Sequence, residues 1–288
     1  MSQQERVWNV LDMLQWATTY FSQSNVPSPR MSIEWLLADV LNVRRLDLYL
    51  MYDRPLSPEE LDRLRPLIKR RREHEPLQYI TGTASFMDCE LVVNRHVLIP
   101  RIETEQLVDR LLEETVALRD RPLHVLDIGT GSGCIPIAIK KKRPSWSCTG
   151  IDLSAEALNV ARQNAKLNNT DVAFLEHDLF ALDELPNHHW TIIISNPPYI
   201  TPGDKHRVEE QVMRYEPEIA LFTDNPTGVY HSILTYAHQC NSSFFLECSD
   251  LTASKVQEMA AGFADDAECL RDLDGKERFV IGGLAGLK

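Results

Sequence analysis

The sequence predicts an α/β chain in three parts: a helical N-terminal segment, a short β-hairpin, and a domain of alternating strands and helices. Three observations carry this reading. Residues 5–75 repeat apolar side chains at helical spacing. From about residue 103 onward, short apolar runs alternate with longer amphipathic ones, the pattern of strands and helices in turn. A glycine-rich turn joins one such strand to one such helix at residues 129–133.

Trp8, Leu11, Leu14, Trp16 and Tyr20 mark the apolar face of a first helix, and Ile33, Trp35, Leu36, Leu37, Val40 and Leu41 that of a second. Pro27-Ser28-Pro29 separates the two. Ser57-Pro58-Glu59-Glu60 places a capping hydroxyl, a proline at the first helical position and a glutamate three residues on, opening a helix through about residue 73. Pro66 should bend or interrupt it. The basic run Lys69-Arg70-Arg71-Arg72, flanked by Glu73 and Glu75, reads as a solvated helix face.

Phe86 to Val93 and His96 to Ile99 read as two strands turning at Asn94-Arg95, a hairpin between the halves. A helix at about 103–119 follows. Strands are expected at 124–128, 147–152, 172–178, 190–195 and 243–248, with helices near 155–167, 227–240 and 252–263. Arg278 to Gly282, after the turn Asp274-Gly275, closes an antiparallel hairpin. The stretch from Thr201 to Pro226 is long for a connection and is expected to be a surface loop or lid, anchored by Glu216-Pro217.

Two segments carry chemistry. The strand His124 to Ile128 runs into Gly129-Thr130-Gly131-Ser132-Gly133 and then an apolar helix start. Alternate glycines let the backbone approach a ligand and aim N–H groups where the helix begins. A dinucleotide fingerprint would require Gly or Ala where Cys134 stands. Asp152 ends the next strand, the place where a carboxylate holds a ribose diol. The run Trp190 to Ser195 then stops at Asn196-Pro197-Pro198-Tyr199. Two prolines remove two donors and stiffen the chain, so a carbonyl stands beside the Asn amide oxygen as an acceptor pair for an N–H2 group, and Tyr199 offers a flat face. A tight turn after a core strand is the plain alternative.

Charge excludes some partners. Residues 1–76 carry eleven basic and eleven acidic residues, so the whole net charge of −12 lies in residues 77–288. A phosphate grip needs Lys and Arg, so direct nucleic-acid binding is not expected. No apolar run of ~18 residues is present to span a bilayer, and Met1 to Arg6 lacks a signal-peptide pattern. The six cysteines form no C-x-x-C pair and read as small buried hydrophobes in a reducing cytoplasm. His188-His189 reads as a solvated pair in a loop, and no metal site is expected.

Several segments occur together and in order: Ser28-Pro29-Arg30, Glu75 to Gly82, Ile99-Pro100-Arg101-Ile102-Glu103-Thr104-Glu105, Asp127 to Gly133, Ser195 to Ile200, and Glu216 to Leu221. The G-x-G-x-G loop resembles the first motif of S-adenosylmethionine-dependent methyltransferases. With the other segments, the chain closely resembles the peptide chain release factor glutamine N5-methyltransferases over nearly its full length. Asn-Pro-Pro-Tyr alone is shared with adenine and cytosine amino-methyltransferases; the segments at 75–82 and 99–105 are more specific. The family usually has Pro where this chain has Ile102, and a more apolar continuation than Cys248-Ser249-Asp250.

The resemblance implies a helical substrate-recognition domain at 1–76, a β-hairpin linker at 77–102, and a Rossmann-like, seven-stranded class I methyltransferase domain at 103–288. The implied cofactor is S-adenosylmethionine, held by Gly129, Thr130, Gly131, Ser132, Gly133 and Asp152, with Asp178 and Leu179 at the end of the third strand against the adenine and Asn196 alongside. The implied substrate is the Gly-Gly-Gln glutamine of bacterial-type class I release factors, its amide held by Asn196, Pro197, Pro198 and Tyr199, of which Asn196, Pro197 and Tyr199 are catalytic. A cytoplasmic monomer is expected. The alternatives are a glutamine of another protein, such as a ribosomal protein, an exocyclic amine of a nucleic acid, or a cofactor-binding partner without activity.

Overall fold

The computed structural model describes residues 7–185 and 189–287. Met1 to Arg6 and His188 lie outside the described residues; His189 is exposed and belongs to no helix or strand. The chain forms two compact units. One holds the chain up to Gly82 together with Glu209–Tyr215, the other Thr83–Val208 and the chain from Glu216 onward. Among the described residues no helix is long and apolar enough to cross a membrane.

In the first unit, α1 (Val10–Gln23) starts at Asn9, whose side chain accepts the Asp12 N–H at 2.7 Å. Its buried face is Val10, Met13, Leu14, Ala17 and Phe21. This differs from the expected stripe of Trp8, Leu11, Leu14, Trp16 and Tyr20. Trp8 precedes the helix, and Trp16 is exposed, stacked on Tyr20 with ring centroids 5.2 Å apart. Aromatics four residues apart on a helix can satisfy each other at the surface, which leaves the tight interior spacing to smaller side chains. The second helix, α2 (Pro29–Leu41), buries Ile33, Leu36, Leu37 and Val40, while Trp35 is exposed.

The third helix, α3 (Pro58–Arg72), opens on the expected capping box: Ser57 Oγ accepts the Glu60 N–H at 3.2 Å and Glu60 Oε2 accepts the Ser57 N–H at 2.9 Å. Of the two outcomes expected at Pro66, a bend or an interruption, the interruption does not occur: the helix runs on through it. Pro66 and Asp62, whose carbonyl loses its helical partner, are both exposed, so water can take the missing bond. The basic run is likewise not a purely solvated face. Arg71 is only 4% exposed, and its guanidinium donates to Ser32 Oγ, the Pro27 carbonyl and the Glu75 carbonyl at 2.8–3.1 Å. The short α4 (Leu77–Thr81) ends at Gly82, which takes the left-handed conformation at φ 77°.

The second unit begins with β1 (Thr83–Phe86) and β2 (Cys89–Val92), an antiparallel pair with Phe86 opposite Cys89. The hairpin therefore turns at Met87-Asp88, not at Asn94-Arg95, and His96 to Ile99 form no strand. Met87 is left-handed (φ 49°), and its N–H donates to Glu105 Oε1 at 2.6 Å. A contact from a later helix thus supports a turn that has neither Gly nor Asn at this position. The remaining elements, in chain order, are α5 (Ile102–Glu114), β3 (His124–Ile128), α6 (Cys134–Lys142), β4 (Ser147–Asp152), α7 (Ala155–Leu167), β5 (Val172–Glu176), β6 (Ile192–Ser195), α8 (Glu210–Tyr215, counted with the first unit), α9 (Glu218–Leu221), α10 (Pro226–Cys240), β7 (Ser243–Glu247), α11 (Ala253–Ala260), β8 (Glu268–Arg271) and β9 (Glu277–Gly282).

Among the described residues these strands make a seven-stranded sheet in the order β5-β4-β3-β6-β7-β9-β8. Strands β3 to β7 are parallel and β9 is antiparallel to both β7 and β8. All of β6 and β7 is buried, as central strands covered on both faces must be. The chain leaves β3 toward β4 on one side and β6 lies on the other, so the topological switch falls between β3 and β6, where open α/β sheets bind ligands. Asn164 on α7 ties the hairpin to the loop after β3: its Oδ1 accepts the Val92 N–H at 2.7 Å, and its Nδ2 donates to the carbonyls of Val92 and Ser132 at 3.0 and 2.9 Å.

Candidate active site

Strand β3 ends in a loop whose three glycines all have positive φ: 74° at Gly129, 54° at Gly131 and 78° at Gly133. The Gly129 and Thr130 N–H groups both donate to the Ile151 carbonyl at 2.9 Å, and the Gly131 N–H donates to Asp152 Oδ2 at 2.8 Å. Asp152 Oδ1 accepts the Ser154 N–H at 2.9 Å. The carboxylate at the tip of β4 therefore holds the glycine loop in shape as well as facing outward. A Cβ at Gly133 would lie 3.0 Å from the Ala161 Cβ, so this glycine also permits close packing.

A cavity of about 270 Å³ opens at the carboxyl ends of β3, β4 and β6. Gly129, Gly131, Asp152, Asp178, Leu179, Asn196 and Pro198 line it, joined by apolar groups from Leu153, Ala157, Phe180, Phe222 and Val229. The structure thus brings together seven of the residues picked out in the sequence. It does not bring Thr130, Ser132, Gly133, Pro197 or Tyr199 to the lining; Thr130, Ser132 and Pro197 are buried behind it. Tyr199 packs against the apolar layer that contains Tyr230 and Leu246 instead of facing the cavity. Burial holds its phenol well above the ordinary tyrosine range, and the Glu247 carboxyl adds to this. Strand β5 stops at Glu176, two residues short of Asp178. The chain has already turned there, because the Ala181 N–H reaches back to the Asp178 carbonyl at 3.0 Å and the Phe180 N–H to Asp178 Oδ1 at 2.9 Å.

Asn196 is half-buried at the cavity wall, and its Nδ2 donates to Thr104 Oγ1 at 3.0 Å. Thr104 Oγ1 in turn donates to Glu247 Oε2 at 2.7 Å. Before it, Ser195 Oγ donates to the Ile128 carbonyl at 2.6 Å, locking the end of β6 to the end of β3. Burial pushes the Glu247 carboxyl up to about 7, against the pull of the Thr104 hydrogen bond. Burial also pushes Asp127 up to about 7. Neither Asp127 oxygen has a hydrogen bond of good geometry; the nearby Thr130 hydroxyl only moderates the shift.

Thr104, Asp127 and Glu247 are polar residues to which the sequence analysis gave no role at the site. The signal for two of them is positional. Asp127, Asp152, Ser195 and Glu247 are each the last or next-to-last residue of a largely apolar strand, all at the carboxyl edge of the sheet. Thr104 gives no such signal, since it lies on a helix and meets the site only through the fold. Among the described residues no group of three or more His, Cys, Asp or Glu stands together to hold a metal ion.

Comparison with known proteins places the chain. It matches the family model described as the PrmC N-terminal domain over residues 12–82 and that of the methyltransferase small domain over residues 104–218. It is 35% identical over 280 residues to a release factor glutamine methyltransferase of Leptospira interrogans, covering 95% of this chain and 97% of that protein. A protein of the same description from Geobacter sulfurreducens is 38% identical over 221 residues, 77% of this chain and 76% of the relative. Among solved structures, the hMettl16 catalytic domain aligns with a TM-score of 0.51 at 14% identity, covering 78% of this chain and 81% of that one, a likeness of fold. With full-length relatives at this identity, and with the glycine loop and Asn196 sharing one cavity, the chain belongs to the release factor glutamine methyltransferase family.

Proposed function

We propose that this protein transfers a methyl group from S-adenosylmethionine to the side-chain amide nitrogen of the glutamine in the Gly-Gly-Gln motif of bacterial-type class I release factors, and so modulates translation termination. The observation that carries this is a single cavity lined both by Gly129, Gly131 and Asp152 and by Asn196 and Pro198. The lining fits the cofactor. At Gly129 and Gly131 the direction a Cβ would take meets no protein atom within 4 Å, so open space lies over bare backbone. Leu153, Leu179 and Phe180 supply an apolar, partly aromatic surface for a planar base.

Gly129 to Gly133 and Asp152 would hold the methionine and ribose parts, and Asp178 and Leu179 the adenine. When bound, S-adenosylmethionine supplies an electrophilic methyl on a sulfonium that departs as a neutral thioether. The residues of this chain have a different task. An amide nitrogen is a poor nucleophile because its lone pair is shared with the carbonyl. Asn196 Oδ1 and the Pro197 carbonyl would accept one amide hydrogen each, orienting the nitrogen and stabilising positive charge as it develops there, and one of these two protons then leaves to solvent so that the product keeps a single N–H. Tyr199 supports this turn from behind, within the apolar layer.

The N-terminal unit, which we set at about residues 1–76 with the hairpin linker at 77–102, would recognise the release factor. A second cavity there, about 350 Å³, is lined by Trp16, Tyr20, Leu61 and Ile68 together with Arg65 and Lys69. The chain would act in the cytoplasm, where its substrate works, as a monomer. The test is mass spectrometry of a purified release factor after incubation with this protein and S-adenosylmethionine. One methyl on the Gly-Gly-Gln glutamine is the expected result; an unmodified glutamine under conditions where the cofactor binds overturns the proposal.

A further inference from the structure

Thr104, Asn196 and Glu247 come from three separate parts of the chain and meet in one hydrogen-bonded line. Asn196 Nδ2 donates to Thr104 Oγ1 at 3.0 Å, and Thr104 Oγ1 donates to Glu247 Oε2 at 2.7 Å. Thr104 is 3% exposed and Glu247 2%, so no bulk water competes for these bonds. Asn196, at the end of the line, reaches the cavity.

With Glu247 ionised, the order of donors in this line is forced. A carboxylate can only accept, and a hydroxyl has one proton to give. With that proton on Glu247, the Thr104 oxygen can only accept, and it can take only the N–H2 end of the Asn196 amide. The amide oxygen is then left facing the cavity. An asparagine without such a constraint can rotate by half a turn and present a donor where an acceptor is needed.

We propose that Thr104 and Glu247 are positioning residues that fix the Asn196 amide with its oxygen toward the substrate nitrogen. This rests on the glutamine methyltransferase reading above and extends it to substrate choice. An outward amide oxygen accepts a hydrogen from an N–H2 group and repels a carboxylate, so the line selects glutamine over glutamate at the methylated position.

The test measures kcat and KM for a purified release factor, and S-adenosylmethionine affinity, in the full-length protein at about pH 8, where Glu247 is ionised. Thr104→Val keeps the shape and removes both bonds. Its kcat should fall roughly 10- to 100-fold, while KM and cofactor affinity stay within about twofold. Thr104→Ser restores the hydroxyl and should bring kcat back to within about threefold. Wild-type kcat in folded Thr104→Val, or Thr104→Ser as slow as Thr104→Val, overturns the proposal. Should Thr104→Val unfold, Glu247→Gln decides. It keeps the size but lets the line run in either direction, so kcat should drop about 3- to 10-fold, and an unchanged kcat overturns the idea. Asn196→Ala separates the two levels. If it retains turnover, the methyltransferase role given to Asn196 fails; if it is inactive while Thr104→Val and Glu247→Gln are normal, only the positioning role fails.

Discussion

Arg101 and Glu216 form an ion pair at 2.6 Å in which the Glu216 side chain is 1% exposed and that of Arg101 32%. The second Glu216 oxygen accepts the Ile99 N–H at 3.0 Å, so one carboxylate fastens both the chain before α5 and the point where the chain re-enters the catalytic unit. The excursion from Thr201 to Pro226 is not an irregular loop: it carries a 3₁₀ turn at Pro202–Arg207 and the helices α8 and α9. Glu216→Ala should destabilise the catalytic unit by about 1–3 kcal/mol, since Arg101 left behind is still partly hydrated. Limited proteolysis should also cut the 201–226 stretch faster; an unaltered digestion rate and melting temperature would show that the pair is not an anchor.

Asn196→Ala removes the acceptor at the cavity wall without touching the glycine loop. Its kcat should fall roughly 10²- to 10³-fold with the melting temperature held near that of the parent. Steady-state kinetics on a release factor substrate read this directly.

Asp152 binds two backbone N–H groups of its own chain, from Gly131 and Ser154, and faces the cavity. Asp152→Ala therefore removes a carboxylate from the cavity lining and the two bonds that shape the loop. Affinity for S-adenosylmethionine should weaken about 10- to 100-fold, the scale of one or two hydrogen bonds to a charged group. Calorimetric titration with the cofactor would refute the role if the affinity stayed the same.

Asp127 and Glu247, both raised to about 7 by burial, make stability fall as pH rises. Below about pH 4 the groups are protonated whether the chain is folded or not. Between there and about 7 the unfolded chain gives up protons that the folded chain keeps, so folding loses ground across that window and levels off above it. Glu60, held below the ordinary carboxylate range by its hydrogen bond from Arg54, acts in the opposite sense and at lower pH. Asp127→Asn should flatten the decline of melting temperature between about pH 5 and 7. Activity should run the other way, with kcat rising as Glu247 ionises through about 7. Glu103 on α5 raises that value, whereas Arg278 on β9 and Arg101 lower it. Tyr199, Tyr230, Cys134 and Cys248 also feel the charge of this carboxyl, and burial raises all four. A Glu247→Gln pH–rate profile that keeps the same rising limb would contradict this assignment.

Ile102, where the family usually has proline, is the first residue of α5 and 70% exposed. The first helical position has no intrahelical use for its N–H, so either residue fits. Ile102→Pro should be neutral or stabilise by up to about 1 kcal/mol, through a stiffer unfolded chain. A chemical denaturation midpoint shifted clearly downward would mean that this N–H has a partner.

The parallel strands were readable because covering both faces leaves unbroken apolar runs such as Ile192 to Ile194 and Phe244 to Leu246. The Ser57–Glu60 cap was readable because its two partners lie within one turn. What escaped depends on contacts that spacing does not encode. The hairpin turn at Met87 leans on Glu105, the buried role of Arg71 depends on Ser32 and Pro27, and the apolar face of α1 is set by fit and not by residue size. Thr104 and Glu247, 143 positions apart, meet only because β7 lies in the sheet beside β6 and under α5. In the same way, the turn after β6 could be picked out from Asn196 and its prolines, whereas the direction in which Tyr199 points could not.

Asn164 gives every polar atom of its amide to two strangers in the sequence, the end of the hairpin at Val92 and the glycine loop at Ser132. The hairpin is consequently part of the second unit's own frame. Anyone wishing to exchange the N-terminal unit for another should make the junction before Thr83, leaving the hairpin behind, because a splice after Val92 would deprive the Asn164 amide, which also holds the glycine loop at Ser132, of its two bonds to Val92.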